Sequence, residues 1–310
     1  HLAIAFPTAA IQVSDDVRTY RGGTGFGEDR HVVAVLGGKG GVGKSTTAIN
    51  LALTLSAMGI SVGLLDADLS APDIPHMVGI HPERSRQTPS EGEQPGSERT
   101  AGPPSGPRSR MAAWELWRTS MTPRSGWRQP LQRYGIEVMS IGLAIPEDAP
   151  PLMTSRLMVS ALLREFVFQV AWSADVLLID APPGTGDELQ VMAHELPLSG
   201  AIFVTTPQDL AQMDAERTLS LLTEHGVPVI GAVQNMASLH CPHCAGEIDL
   251  FARSSRLADA GVPILGRIPF DLRLSEAVDA GRPLVLADPR GPVSYEFAKV
   301  GHAVRQWLRE

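Results

Sequence analysis

Lysine and cysteine are both rare in this chain of 310 residues. Only three lysines, Lys39, Lys44 and Lys299, occur among its 26 basic side chains, so arginine carries nearly all the positive charge. Two of the three lie within one glycine-rich stretch, which suggests that each has a task arginine does not perform. The only cysteines are Cys241 and Cys244. Two cysteines are too few for a disulfide scaffold, which excludes the disulfide-rich secreted domains.

Net positive charge and long apolar runs are also lacking. The formal net charge is −8 and the pI is near 5.6, whereas nucleic acids and anionic membranes attract basic surfaces. We therefore expect no nucleic-acid partner and no membrane partner. No apolar run approaches the roughly 18 residues of a membrane helix, and residues 1–13 lack the basic start and cleavage pattern of a signal peptide. These features predict a cytoplasmic protein.

One internal segment lacks the residues that build a core. Residues 81–130 contain no Val, Ile or Phe, one Leu and eight prolines. Such a composition buries too little apolar surface to offset the entropy lost on ordering, which predicts a disordered insertion. Its eight arginines and five glutamates give it a local charge of +3. We expect an N-terminal tail over residues 1–30 and a single domain over residues 31–310 that contains this insertion.

The remaining sequence alternates between strand and helix patterns. A short β-branched run over residues 31–38 ends in glycines, and residues 44–59 have the apolar spacing of a helix that Gly59 ends. Further strands are predicted over residues 61–68, 174–183, 200–207 and 227–236, and a further helix over residues 156–172. Continuous apolar strands that alternate with helices predict an α/β fold, a mostly parallel sheet with helices on both faces.

The glycine-rich stretch fits two nucleotide-binding patterns. Residues 38–43 match G-x-G-x-x-G, and Asp66 ends the next strand, as in a dinucleotide-binding site. The longer pattern G-x-x-x-x-G-K-S/T, which ends in Lys44 and Ser45, places an ammonium on the β- and γ-phosphates and a hydroxyl on Mg²⁺. A hydride-transfer site needs neither group, so we favour a phosphate loop. Its predicted nucleotide-binding residues are Gly38, Lys39, Gly40, Gly41, Val42, Gly43, Lys44, Ser45 and Thr46.

Acidic residues that could serve the Mg²⁺ shell end two other apolar strands. Asp180 ends "DVLLID" and precedes the glycine-rich turn "APPGTGD", which is suited to sensing a γ-phosphate. Asp66 and Asp68 alternate in "LLDADLSAP" and point to opposite sides unless the strand has already ended. One of the two is expected near the metal-bound waters, and the other near the attacking water.

The loop sequence G-K-G-G-V-G-K-S-T resembles the deviant Walker A loop of the MinD and ParA ATPases, the nitrogenase iron protein and the arsenical pump ATPases. The resemblance implies that Lys39 reaches across a dimer interface to the phosphates bound by the other subunit, as a catalytic cation supplied in trans. It further implies that Asp68 orients or activates the water, that Ser45 and Asp180 serve Mg²⁺ with Asp66 near the metal waters, and that Asn235 meets the adenine.

The cysteine pair has the spacing of a metal or redox site. Cys241 and Cys244 stand as Cys-Pro-His-Cys after a predicted strand, but a tetrahedral or cubane site takes about four ligands. His240 and His243 could complete a zinc site, a second copy of the chain could supply two more thiolates, or the pair could be a redox couple. The residues themselves leave these three possibilities open.

Four motifs resemble, in order and spacing, the Mrp/NBP35 branch of these ATPases, the iron-sulfur cluster carriers: "DAPPGTGDE", "VTTPQDLAQMDAER", "GAVQNMASLHCPHC" and "RIPFDLRLSEAVDAGRPL". The resemblance implies an ATP-hydrolysing homodimer in which Cys241 and Cys244 of both chains bridge a [4Fe-4S] cluster that is passed to apo iron-sulfur proteins. The sequence departs from the branch near the switch segments, with "APPLMTSR" in place of an Arg-Gly-Pro motif and Ala71 in place of a glycine.

Two other functions compete with this interpretation: a MinD- or ParA-like positioning ATPase that acts on membrane or DNA, and a zinc or redox regulator built on the same core. A membrane-targeting ATPase would end in a basic amphipathic helix. The C-terminal segment has few cations, and its apolar stripe predicts a packing face instead; the stripe consists of Val293, Phe297, Val300, Val304 and Trp307.

Overall fold

The computed structural model of the protein describes residues 30–80, 129–143, 156–184, 186–241, 243–244, 246–251 and 256–310. Almost all of the predicted tail and insertion lies outside these ranges, so both stay predictions. Strands occupy His31–Gly37 (β1), Val62–Asp66 (β2), Leu131–Arg133 (β3), Ile136–Ser140 (β4), Val176–Asp180 (β5), Gly200–Thr205 (β6), Val229–Gln234 (β7), Ser238–His240 (β8), Glu247–Asp249 (β9) and Ile264–Arg267 (β10).

Helices lie between the strands and after the last of them. They span Lys44–Ala57 (α1), Ile74–Met77 (α2), Arg156–Phe168 (α3), Asp187–Glu195 (α4), Asp209–Glu224 (α5), Arg256–Asp259 (α6), Leu272–Asp279 (α7), Leu284–Ala287 (α8) and Pro292–Trp307 (α9). None of the helices in the described ranges has both the length and the apolar character of a membrane span.

Eight strands form one sheet in the order β10-β7-β6-β1-β5-β2-β4-β3, and β8 pairs with β9 in a separate hairpin. Strand β3 runs antiparallel to β4, and every other pairing in the large sheet is parallel. The central strands are apolar except near their ends, as is typical of a sheet that helices cover on both faces. The predicted mostly parallel α/β fold is therefore confirmed.

Two apolar clusters make up the core, one on each face of the sheet. The first joins α3 and α4 to the sheet around Phe166 and Phe203. The second joins α1 and α9 to the opposite face around Leu51 and Phe297. In the C-terminal stripe, Val293, Phe297, Val300 and Val304 are buried in this second cluster and Trp307 packs against it, so the prediction of a packing face is confirmed.

The register of the central strands brings their carboxyl ends to one edge of the sheet. Asp180 pairs with Val35 of β1 and with Asp66 of β2. Three segments that the sequence separates widely therefore end side by side, immediately below the glycine loop. Ligands of open α/β sheets bind at this edge.

Candidate functional site

The glycine loop joins β1 to α1, and its shape depends on several of its glycines, of which Gly41 and Gly43 have a left-handed backbone. Gly43 has φ of 83°, and a Cβ there would lie 2.2 Å from the Asn235 side-chain nitrogen Nδ2. A Cβ on Gly38 would lie 2.8 Å from the backbone of α5. Gly40 and Gly41 are exposed, and nothing lies within 4 Å of a Cβ built on either. The loop is therefore fixed at its two ends and open in the middle, where a phosphate would approach the N-terminus of α1.

Lys44 and Asp180 form a buried ion pair behind the loop. The Lys44 Nζ lies 2.9 Å from the Asp180 Oδ1, and both side chains are almost fully buried. Burial raises the pKa of Asp180, while the Lys44 ammonium and a hydrogen bond from the Ser45 side chain oppose that rise. The structure therefore brings together three predicted site residues from β5 and the first turn of α1.

Asp66 ends β2, and its carboxylate organises the segment that follows. Its Oδ1 accepts from the Asp68 backbone N–H at 3.2 Å, and its Oδ2 accepts from the Ile74 N–H at 3.3 Å and the Ser140 hydroxyl at 2.9 Å. Burial, and after it the Asp180 carboxylate, raises the pKa of Asp66 well above its usual value. Both oxygens of Asp66 thus accept hydrogen bonds that order this segment, and the place of Asp66 near metal-bound waters stays a prediction.

Asp68 lies beyond the end of β2, so the alternation of a strand does not apply to it. Its Oδ1 accepts from the backbone N–H groups of Ser70 and Ala71, at 3.2 and 3.1 Å. Burial and the Asp68 carboxylate raise the pKa values of Asp73 and Glu188. Asp68 therefore has acidic neighbours on two further segments.

Asp73 and Glu188 are site neighbours that the sequence analysis missed. Glu188 directly follows Asp187 in the motif "GTGDE", so an acid one position past the glycine-rich turn was the available signal. Asp73 carried no comparable signal, because its place near Asp68 depends on the turn that Asp66 organises.

Asn235 follows β7 and holds the glycine loop from the side. Its Nδ2 donates to the Val42 carbonyl at 2.9 Å, and its backbone N–H donates to the Thr205 carbonyl at 2.7 Å. The side chain is buried. The structure places Asn235 at the loop, as the predicted adenine contact requires, and that contact itself stays a prediction.

Lys39 takes a different partner from Lys44. Its Nζ lies 3.5 Å from the Asp214 Oδ2 on α5, and 37% of the Lys39 side chain is exposed. Asp214 also accepts from the Arg217 guanidinium at 3.1 Å. Lys39 therefore lies at the surface, where a partner molecule could contact it.

The cysteine pair lies at the end of the β8-β9 hairpin. Both thiols are free; Cys241 is half-buried and Cys244 is exposed. The Cys241 backbone N–H donates to the Gly246 carbonyl at 2.9 Å, which extends the hairpin to the cysteine. Hydrogen bonds from the backbone N–H groups of His243 and Cys244, and from the Cys244 thiol, lower the pKa of Cys241. The turn thus favours the thiolate, the form that binds metal.

Within the described residues, no group of three or more His, Cys, Asp or Glu side chains is arranged to hold a metal ion. The described part of one chain thus offers two thiols without a ready third ligand. His240 and His243 flank Cys241 in sequence, but they do not complete such a group with the cysteines there.

A glycine loop of the G-x-x-x-x-G-K-S pattern between the central strand and a helix, with a strand-end aspartate on its lysine, defines the class of P-loop NTPases. A family model described as ParA, NUBPL iron-transfer P-loop NTPase, matches residues 28–102 and 104–305. The chain belongs to this family, so the resemblance drawn from the motifs is confirmed.

Individual relatives agree with this placement. The chain is 37% identical over 276 residues to the iron-sulfur cluster carrier protein of Methanocaldococcus jannaschii, which covers 87% of this chain and 82% of that protein. A solved nucleotide-binding protein from Archaeoglobus fulgidus, in complex with ADP, is 32% identical with a TM-score of 0.62, over 86% of this chain and 91% of its own. The cell division ATPase MinD of Pyrococcus furiosus has a TM-score of 0.59 over 89% of this chain and 99% of its own, and at 19% identity it shows the fold alone.

Proposed function

We propose that the protein is an ATP-binding and ATP-hydrolysing carrier that holds a [4Fe-4S] cluster between two copies of the chain and passes it to apo iron-sulfur proteins. The observation that carries the proposal is the short stretch of chain between the residue that contacts the nucleotide loop and the hairpin that bears the cysteines. Asn235 holds the nucleotide loop, and the hairpin with both thiols begins three residues later, at Ser238. The carrier relative at 37% identity supports the same function.

The nucleotide half of the proposal assigns a role to each group around the loop. Backbone N–H groups of residues 38–43 and the Lys44 ammonium would hold the β- and γ-phosphates of ATP. The Ser45 hydroxyl and the Asp180 carboxylate are hard oxygen ligands that share a hydrogen bond, and such a donor set suits Mg²⁺. When bound, Mg²⁺ would neutralise negative charge on the phosphates. Asp68 would orient the attacking water, and Lys39 would serve the nucleotide of the partner copy.

The cysteine half of the proposal treats the cluster as cargo. One chain has two cysteines in total, and a cubane cluster takes about four thiolates. Two copies of the chain supply that number, so the cluster requires a homodimer. The lowered pKa of Cys241 favours the thiolate form that such a cluster requires.

The proposal is tested by anaerobic reconstitution with iron and sulfide. The wild-type protein should carry about four iron atoms per dimer, with visible thiolate-to-iron absorbance, and Cys241→Ala should lose both. His243→Ala is the matched control, because it changes the same exposed turn without removing a thiol, and it should keep its iron.

Unchanged iron content in Cys241→Ala would overturn the proposal. Tightly bound zinc in the isolated protein, lost in His243→Ala, would instead identify the zinc regulator. A reversible disulfide without iron uptake would identify the redox couple.

A further inference from the structure

Exposed apolar side chains concentrate beside the cysteine pair. In the described part of the chain, nine large hydrophobic side chains are strongly exposed, and four of these lie on or directly after the hairpin and in residues 270–272. Ile248 is 49% exposed and Leu272 is 68% exposed. The other two are Leu250 and Phe270. Clustered exposed apolar residues mark interaction surfaces, whereas single ones are ordinary.

Strand pairing places Ile248, Phe270 and Cys241 on one face with Leu239, and the exposed Leu250 and Leu272 follow Ile248 and Phe270 two residues further along the chain. Leu239 pairs with Ile248 across the hairpin and with Phe270 through a parallel bridge, and directly paired residues share a face. The ladder continues from Leu239 to Cys241, two residues on, where the Cys241 N–H donates to the Gly246 carbonyl. Side chains two residues apart on a strand also share a face. The apolar row therefore leads directly to the first thiol.

The opposite face of the hairpin is polar and is attached to the rest of the domain. His240, Glu247 and Asp249 alternate with the apolar residues. The Asp249 Oδ1 lies 3.2 Å from the Arg267 Nη2 on β10. The Ala237 N–H donates to the Ile268 carbonyl at 2.9 Å, and the Phe270 N–H donates to the Ser238 carbonyl at 2.6 Å. The hairpin is thus a fixed part of the domain that presents its apolar face to solvent.

We infer that this cysteine-hairpin face, formed by Leu239, Ile248, Leu250, Phe270 and Leu272, packs against the same face of a second copy of the chain and forms an apolar collar around the four thiolates. The inference rests on the proposed function, because one chain lacks two of the thiolates that the cluster takes. If a two-fold axis passes between the cysteine pairs of the two copies, the cysteine-hairpin face of one copy lies against the same face of the other.

Charge supports a second copy as the occupant. Each chain has a net charge of −8, so two copies repel each other where acidic surfaces meet. The five side chains that form the cysteine-hairpin face are uncharged, and the acidic residues of the hairpin, Glu247 and Asp249, alternate onto the other face. Asp271 and Arg273, which flank Leu272, pair with each other. An uncharged apolar contact there also keeps water from the cluster, whose potential and lability depend on solvent exposure.

The test places a charge in the middle of the face. Ile248→Asp is compared with Leu131→Asp, a matched substitution of a side chain that is 42% exposed on β3, at the opposite edge of the sheet from β10. After anaerobic reconstitution, sedimentation velocity and iron analysis should show a wild-type dimer with about four iron atoms. Ile248→Asp should dimerise at least about tenfold more weakly and carry less iron, whereas Leu131→Asp should match the wild type. Ile248→Ala is a milder substitution that places no charge in the contact and should weaken dimerisation less. Circular dichroism and ATP affinity check that each variant is folded.

The outcomes separate this inference from the proposed function. If Ile248→Asp keeps the wild-type dimer and its iron, the inference is overturned and the carrier function stands. If it keeps both but no longer passes its cluster to an apo-ferredoxin, the face serves the recipient and the inference is again overturned. If the wild type is a dimer without iron and Ile248→Asp dissociates that dimer, the inferred interface is supported and the proposed cluster binding is overturned. A wild-type monomer without iron overturns both.

Discussion

At the scale of single residues, the two loop lysines differ in how firmly they are held. Lys44 is buried against Asp180 at 2.9 Å, and removing either partner would leave an unpaired buried charge. Lys39 is partly exposed and lies 3.5 Å from Asp214. Exposed ion pairs contribute about 0 to 1 kcal/mol, so Lys39 can leave Asp214 at little cost. This difference fits one lysine for the chain's own nucleotide and one for a partner's.

The residue-scale prediction concerns Lys39. Lys39→Ala should lower ATP hydrolysis at least about tenfold, because cations supplied in trans contribute on the order of 10³ or more to phosphoryl transfer. ATP affinity should change little, whereas Lys44→Ala should lose it. Lys299→Ala removes the third lysine, an exposed residue of α9 paired with Glu296, and should affect neither quantity. Steady-state hydrolysis and equilibrium ATP titration measure the effects. Wild-type turnover in Lys39→Ala would exclude the trans role.

At the scale of elements, α1 begins and ends at glycines with a left-handed backbone. Gly43 precedes its first residue with φ of 83°, and Gly59 follows its end with φ of 84°. A Cβ on Gly59 has nothing within 4 Å, whereas a Cβ on Gly43 lies 2.2 Å from the Asn235 Nδ2. Gly43 and Gly59 therefore have the same backbone strain, but only Gly43 belongs to the glycine loop.

This pair of glycines gives a matched prediction. Gly43→Ala and Gly59→Ala should each lower the free energy of unfolding by about 1 to 2 kcal/mol through the left-handed backbone. Gly43→Ala should lose further stability through the collision with Asn235, and its ATP affinity should fall at least about tenfold, while Gly59→Ala should bind ATP normally. Urea unfolding and ATP titration test both variants. Equal ATP affinity in the two would show that Asn235 does not hold the loop.

Several short strands were not predicted from the sequence, and neither were the longer helices α4 and α5. Strand β4 contains Glu137, whose carboxylate is buried because it accepts from the backbone N–H groups of Ser173 and Ala174. A charged residue inside a strand breaks the apolar pattern, and its partners are known only from the fold. Strands β8, β9 and β10 have three or four residues each, which is too few to show a period, so they could not be predicted from the sequence.

At the scale of the whole molecule, ligand binding at the sheet edge should stabilise the fold. A ligand that binds only the native state adds about 2.7 kcal/mol to the free energy of unfolding at a concentration 100 times its Kd. Mg²⁺ and ATP meet side chains from α1, β2 and β5 in the proposed site, so the gain should spread over the sheet and appear in global unfolding.

The whole-molecule prediction compares two aspartates at opposite ends of β5: Asp180, its last residue, and Asp175, which precedes it. Asp180→Asn should remove most of the extra stability that Mg²⁺ adds to ATP, because it takes the charged oxygen from the proposed metal site. Asp175→Asn changes an exposed residue immediately before the first residue of β5, at the end of the strand opposite to Asp180, and should keep the full stability gain from Mg²⁺. Thermal unfolding measures this stability gain: each variant is unfolded with ATP and Mg²⁺, with ATP and EDTA, and without ligand, and the first two results are compared with the third. A full magnesium increment in Asp180→Asn would exclude Asp180 from the metal shell.

The sequence by itself determined the features that depend on local pattern or on simple counts. Strand, glycine loop and helix follow one another within residues 31–57, so the phosphate loop and the end of the helix near Gly59 could be predicted from the local sequence pattern. The shortage of cysteines left ligands from a second copy of the chain as one of three possibilities. Only the tertiary structure decided which distant groups meet: Asp180 reaches Lys44 across 136 positions, Asn235 reaches Val42 across 193, and Ile248 and Phe270 join one face beside Cys241. The physical reason is that neighbours along the chain set the backbone conformation, whereas strand order and register determine contacts between distant side chains.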